Sequence, residues 1–251
     1  YDDGDLEQGH GGGHYAEGHE LEAPLFTNKR GCHLGVNIAT GSGPLSQTTF
    51  FTFTPFFRMD NQTGEDLLVR QRYSRDEDIM ALRADMHGQA FQWSDMRATK
   101  RVQIKFAGSD EWAWSGGIDI ANHTGEFFVP LSKTRDRKAT KKRTQDYIVR
   151  GEVKNTERGS TDSMRMVVFN KEDEKFPPYL LLNACNESVN VRQVGTNRIV
   201  VVQPGIIRPY ACEEPFSAHR IEFWVGEPGH APSLSLRLMG EQAVDVRATQ
   251  V

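Results

Sequence analysis

Asn61-Gln62-Thr63-Gly64-Glu65-Asp66-Leu67-Leu68-Val69-Arg70-Gln71 begins with an asparagine and ends ten residues later on a Val-Arg-Gln triplet. Asn183-Ala184-Cys185-Asn186-Glu187-Ser188-Val189-Asn190-Val191-Arg192-Gln193 does the same. Working outward, the two stretches keep step. Pro55 precedes the first and Pro178 the second. Phe91-Gln92-Trp93-Ser94-Asp95 follows the first asparagine, and Tyr210-Ala211-Cys212-Glu213-Glu214 follows the second at nearly the same distance. Arg101-Val102-Gln103-Ile104-Lys105-Phe106 and His219-Arg220-Ile221-Glu222-Phe223 come next. The offset stays near 120 residues at every station. One shared tripeptide is a chance event, whereas ordered agreement at four stations marks an internal repeat. The reading is two copies of one module, over residues 24–135 and 145–251.

Each copy alternates apolar and polar residues with a period of two. Val102, Ile104 and Phe106 alternate with Gln103 and Lys105. Phe51 and Phe53 alternate with Thr52 and Thr54, and Leu234, Leu236 and Leu238 with Ser235 and Arg237. Ile221, Phe223 and Val225 follow the same rule, although Trp224 breaks the polar face. This is the period of half-buried strands. Turn residues punctuate it at Gly41-Ser42-Gly43-Pro44, Gly116-Gly117, Gln203-Pro204-Gly205 and Glu227-Pro228-Gly229,. No long helical stripe is present, and residues 72–82 read as a loop or one helical turn. The expected fold is all-β: two tandem antiparallel β-sandwich repeats with a flexible N-terminal leader.

Charge divides the chain further. The 251 residues carry a formal net charge of −4. Residues 1–23 contain seven acidic side chains, no Lys or Arg, and several glycines, so the remainder carries +3. Such a segment buries too little apolar surface to offset the entropy of ordering, and reads as a flexible acidic Gly/His-rich leader or loop. A basic run, Lys133 to Arg143, separates the copies, and residues 136–144 read as a linker. Lys138, Lys141, Lys142 and Arg143 are the candidates for contact with an anionic surface, where each basic residue contributes ~1 kcal/mol; a solvated linker is the competing reading, because the run lacks an apolar anchoring face. The even charge balance argues against a nucleic-acid partner. The absence of an initiator Met suggests a piece of a longer chain. Three cysteines, Cys32, Cys185 and Cys212, are too few for a disulfide scaffold and suggest a reducing compartment,.

Catalytic and metal readings fail on context. His10-Gly11-Gly12-Gly13-His14 resembles an oxyanion-hole string, but no G-x-S-x-G elbow accompanies it,. His10, His14 and His19 lack a helix to hold their spacing and a cysteine to complete a zinc set. Gly41-Ser42-Gly43 lacks the third glycine and the following helix of a phosphate cradle. Glu213 and Glu214 are adjacent and face opposite ways on extended backbone. The expectation is a non-enzyme without metal or cofactor. Asn61 and Asn183 are the marked positions. Each follows an apolar strand and opens a turn, where an asparagine can bond the backbone of that turn. A side chain that shapes such a turn can also hold open a groove for a peptide. Gln71, Trp93, Gln193, Tyr210 and Pro215 read as structural positions of the repeat, and core packing is the default for Trp112 and Trp114.

The stretch from Phe53 to Gln71 resembles the strand–asparagine–turn–strand core of the adaptor-binding repeats in the family of vacuolar protein sorting-associated protein thirteen. Phe91 to Asp95, Arg101 to Phe106 and Trp114-Ser115-Gly116 are similar to it as well, as are Pro178 to Asn183 and Pro209-Tyr210-Ala211-Cys212-Glu213-Glu214-Pro215 in the second copy. The family usually carries Trp and Asp where this chain has Cys212 and Glu213. The resemblance covers about residues 34–245. It implies β-sandwich repeats within a long, bridge-like lipid transfer protein, cytoplasmic and peripheral at organelle membranes or contact sites. It implies recruitment through adaptor proteins with short proline motifs, and it maps the family's characteristic asparagines onto Asn61 and Asn183. An extended peptide added to a sheet edge fits that role. A structural spacer within a larger assembly and a carbohydrate-binding sandwich are the competing classes; the few cysteines oppose the second of these.

Overall fold

In the computed structural model, residues 32–133, 147–156, 164–171, 177–227 and 231–237 are described. The acidic leader over 1–23 and the basic linker over 136–144, with Lys138, Lys141, Lys142 and Arg143, lie outside them, as does Leu238. The strands in chain order are β1 (Leu34–Thr40), β2 (Thr49–Pro55), β3 (Phe57–Gln62), β4 (Leu67–Gln71), β5 (Met80–Leu82), β6 (Gln89–Phe91), β7 (Val102–Phe106), β8 (Gly125–Leu131), β9 (Tyr147–Thr156), β10 (Met164–Lys171), β11 (Tyr179–Leu182), β12 (Val189–Gln193), β13 (Ile199–Val202), β14 (Ile207–Tyr210), β15 (Arg220–Val225) and β16 (Ser233–Ser235). Two short 3-10 turns, Gly43–Leu45 and Asp76–Asp78, are the helical elements among the described residues. The fold is all-β. The stretch 72–82 contains one of those turns, as its composition suggests, but it also supplies β5, which pairs with β4. Three residues are too few for periodicity to reveal a strand.

The period-two pattern decides which side chains go inward. Leu67, Val69 and Gln71 of β4 are buried while Leu68 and Arg70 are half-exposed, and β7 alternates in the same way. Antiparallel pairing sets Leu67 opposite Phe106 and Val69 opposite Ile104. The second copy repeats the arrangement: β12 pairs with β15, placing Val191 opposite Phe223 and Gln193 opposite Ile221. Two further pairings recur. β3 with β6 sets Phe57 opposite Phe91, and β11 with β14 sets Tyr179 opposite Tyr210. β4 with β5 sets Leu67 opposite Leu82, and β12 with β13 sets Val189 opposite Val202. The sequence repeat is thus a repeat of strand register.

The turn after each β4-type strand shows what the repeat demands of the backbone. Ser74 N–H donates to the Gln71 carbonyl, and Thr196 N–H to that of Gln193, at 3.0 and 3.1 Å. The central residue has φ +84° at Gly195 but +66° at Tyr73. A side chain with a Cβ is strained there, by ~1–2 kcal/mol. Tyr73 is exposed, and the Arg72 guanidinium over its ring is a weak compensation. Tyr73→Gly is therefore expected to raise stability by about 1 kcal/mol in urea unfolding; a loss of stability would show that the ring contact outweighs the strain.

The hydrophobic cores do not divide the chain where its charge does. One core gathers Phe57, Met59, Trp93 and Ile104 together with Val149, Val153, Val167 and Phe169, which come from β9 and β10. The other gathers Val191, Val200, Val202, Tyr210, Cys212 and Ile221. β9 and β10 follow the basic run in sequence yet pack with what precedes it. The cause is a five-stranded sheet in the order β6-β3-β10-β9-β8, in which β10 lies parallel to β3. β1 and β2 form a separate two-stranded ribbon. Its alternation reads as half-buried strand, but Phe51 and Phe53 are 60% and 65% exposed. The strands form as expected; nothing among the described residues covers them.

Candidate functional site

Asn61 sits near the end of β3, wholly buried. Its Nδ2 donates to the carbonyls of Glu65 at 2.8 Å and Leu82 at 2.9 Å. Its Oδ1 accepts from the Thr63 N–H at 3.0 Å and the Thr63 hydroxyl at 2.7 Å. One amide thus closes its own turn and ties that turn to the end of β5. Asn183, just after β11, repeats this atom for atom on the backbone. Its Nδ2 donates to Glu187 and Val202 carbonyls, both at 2.8 Å, and its Oδ1 accepts from Cys185 N–H at 2.9 Å. An amide is the one short side chain with both donors and acceptor in this geometry. Both asparagines are internal supports, and neither presents its amide to solvent.

The glutamines form the second pair of supports. Gln71 Nε2 donates to the carbonyls of Asp95 and Thr99, and its Oε1 accepts from Asp95 N–H and the Ser94 hydroxyl. Gln193 Nε2 donates to Glu214 and Ala218, and its Oε1 accepts from Glu214 N–H. Each glutamine pins the loop that follows the β6-type strand. The arginine before each one lies over a tryptophan: Arg70 over Trp114 at 4.1 Å, and Arg192 over Trp224 at 5.4 Å. Trp114, with Lys105 also near its ring, is therefore stacked beneath cations on the outer face rather than packed in the core. Trp112 does lean on the core, edge-on to Phe106.

The loop pinned by Gln193 also joins the two cores. Glu214 bonds Arg72 at 2.5 Å and Arg101 at 2.9 Å, and the Ser217 hydroxyl at 2.9 Å. Burial alone would raise the pKa of its carboxyl, but Ser217, Arg72 and Arg101 outweigh burial and hold it below the usual carboxylate range,. Gly116 makes the approach feasible: a Cβ there would lie 2.1 Å from the Glu213 carbonyl oxygen. The sequence shows in Glu213 and Glu214 only two adjacent carboxylates that face opposite ways, and does not reveal this junction. Its partners stand 142 and 113 residues away in the chain, with no local signal linking them.

Among the described residues, no group of three or more His, Cys, Asp or Glu side chains is placed to hold a metal. A family model described as the vacuolar-sorting associated protein 13 adaptor binding domain matches residues 16–219. The chain belongs to that family. No curated protein matches it. The adaptor-binding domain is a binding module and not a catalytic family.

Within this adaptor-binding domain the two copies solve one packing problem differently. Trp93 stands edge-on to both Phe57 and Phe91, at 5.3 and 5.1 Å, with Lys100 beside its ring. Cys212 takes the corresponding place in the second copy, buried, with its thiol pushed up to about 11 by desolvation. There Tyr179 and Tyr210 face each other at 6.4 Å. The Tyr179 hydroxyl bonds His219 Nδ1 at 2.9 Å, and His219 Nε2 reaches the carbonyl of buried Pro215 at 2.7 Å. A polar bridge replaces the indole. Burial, with Cys212 next in effect, raises the pKa of the Tyr179 phenol,.

Proposed function

We propose that this chain is a non-catalytic interaction module that recruits a bridge-like lipid transfer protein to organelle membranes or contact sites, by binding short proline-containing adaptor peptides along a sheet edge. The observation that carries the reading is the family match, an adaptor-binding domain. Two repeats of the same β module are part of the proposal, with β9 and β10 packed into the first rather than the second, as is a cytoplasmic, membrane-peripheral location. Asn61 and Asn183 support binding in this reading by holding strands and turns in place, since their amides are fully used inside the fold. Lys138, Lys141, Lys142 and Arg143 would add attraction to an anionic surface.

The test is a pull-down with proline-motif peptides, comparing wild type with Asn61→Ser and Asn183→Ser below the lowest melting temperature of the three. Serine keeps one hydrogen-bonding group and loses the second donor. At least one variant is expected to lose binding by tenfold or more while remaining folded. Equal binding by all three folded proteins would remove the asparagines from the site. No binding to any such peptide would favour a structural spacer.

A further inference from the structure

We propose that the outer face of β4 and β7 is a docking surface for an acidic peptide segment in extended form. This contact is separate from the sheet-edge binding proposed above and does not rest on it.

Strand register builds the face. Leu68 and Arg70 stand outward on β4, and Gln103 and Lys105 on β7, since the residues between them are buried. Pairing sets Arg70 opposite Gln103 and Leu68 opposite Lys105. One step further along, the Arg72 N–H donates to the Arg101 carbonyl at 2.8 Å, which places these two arginines side by side. Trp114 lies across the middle, its ring 4.1 Å from the Arg70 guanidinium and 5.2 Å from the Lys105 ammonium. Tyr73, 80% exposed, closes the end beside Arg72. Like charges on paired strands repel. The carboxylates paired with these cations are Glu214, which holds Arg72 and Arg101, and Asp76, 3.5 Å from Arg70 with its own side chain 90% exposed. Lys105 has no ion pair among the described residues.

The second copy supplies the comparison. It pairs the same strands, yet its face neutralises itself: Arg192 bonds Glu222 at 2.8 Å, and Trp224 beside them is only 4% exposed. In the first copy Gln103 stands where Glu222 does, Lys105 where Trp224 does, and Tyr73 where Gly195 does. The shared fold therefore does not require a cationic face with an exposed ring, and at Tyr73 it is strained by carrying one,. Cations interleaved with aromatic rings match a carboxylate-bearing peptide. The guanidinium and ammonium groups take its acids, and the open side of the Tyr73 ring takes a proline or an apolar side chain. From Leu68 to Tyr73 the surface runs about 17 Å, the length of roughly five extended residues.

Fluorescence anisotropy on the 251-residue chain tests this with a labelled peptide of alternating glutamate and proline, kept extended by its prolines,. Lysine–proline and serine–proline peptides of the same length are the comparisons. The glutamate peptide is expected to bind with a Kd of roughly 1–100 μM. Its affinity should fall about threefold or more between roughly 0.05 and 0.5 M salt. The lysine and serine peptides are expected to bind about tenfold more weakly. Tyr73→Gly and Gln103→Glu each give the first copy the residue that the second already folds with. Each is expected to weaken binding about fivefold or more, the first of them while raising stability. No binding of the glutamate peptide, equal binding of all three peptides, or unchanged affinity in both variants would each overturn the proposal. So would a glutamate peptide that binds only after the acidic residues of 1–23 are replaced by Asn and Gln, since the face would then belong to the chain's own acidic segment.

Discussion

Asn61→Ala is expected to lower stability by roughly 3–5 kcal/mol, because one truncation strands several buried groups at once. The Leu82 carbonyl loses its amide donor, and the Thr63 N–H loses its acceptor. The Glu65 carbonyl and the Thr63 hydroxyl are cushioned, since that hydroxyl, released from Asn61, donates to the carbonyl 2.9 Å away,. Each orphaned buried group costs ~1–3 kcal/mol. The site has no route to water: Asn61 is 0% exposed, and Leu67 and Leu82 beside it are equally buried. In a chain of this size the loss corresponds to a melting temperature lower by about 10 °C. Asn61→Asp, nearly the same shape, is expected to fare no better, since a carboxylate would face two carbonyls where an amide donated. Thermal unfolding of the three proteins checks this; a shift under about 2 °C for Asn61→Ala, less than 1 kcal/mol, would mean that the turn does not depend on the amide.

Glu214→Gln is expected to cost about 2–3 kcal/mol and to flatten the acid side of the stability profile. The neutral amide keeps the shape but leaves Arg72 and Arg101 facing each other without their counter-charge, in a place where Glu214 is 14% exposed. The pH dependence has a definite sign. The folded carboxyl has a depressed pKa, so the unfolded chain binds that proton more readily. The stabilisation is therefore complete above the unfolded value of about 4.3, and it is lost as pH falls through the folded one. Urea unfolding between neutral pH and the acid range should show wild type losing stability faster than Glu214→Gln on acidification, with the two curves converging at low pH. Parallel curves would show that the carboxylate contributes nothing specific to the junction.

Much of this was legible in the sequence. The two asparagines, the two glutamines and the strands between them recur at a fixed offset because each amide bonds backbone of its own copy. Local hydrogen bonding of that kind needs the same residue at the same spacing, and so leaves a mark in one dimension. The period of two gave away strands such as β7 and the inward face it buries, because side chains alternate along extended backbone,. The Cys212 departure was also visible, though its consequence, a tyrosine–histidine bridge in place of an indole, was not.

What remained hidden depends on pairing between distant segments. Nothing in the composition of β9 and β10 says that they join a sheet with β3 rather than with the repeat that follows them. A parallel pair has no connecting turn to announce it. Nothing in Glu214 points to Arg72 and Arg101, because ion pairs carry no spacing rule outside helices. Nothing in Phe51 and Phe53 tells a buried strand face from an exposed one, since alternation reports amphipathicity and not the presence of a covering layer. The sequence by itself determined the longer alternating strands, the offset between the copies and the amides that lock their turns. Only the tertiary structure decided where one core ends and the next begins, and that β10 fills the edge of β3, because those depend on contacts that local chain geometry does not encode.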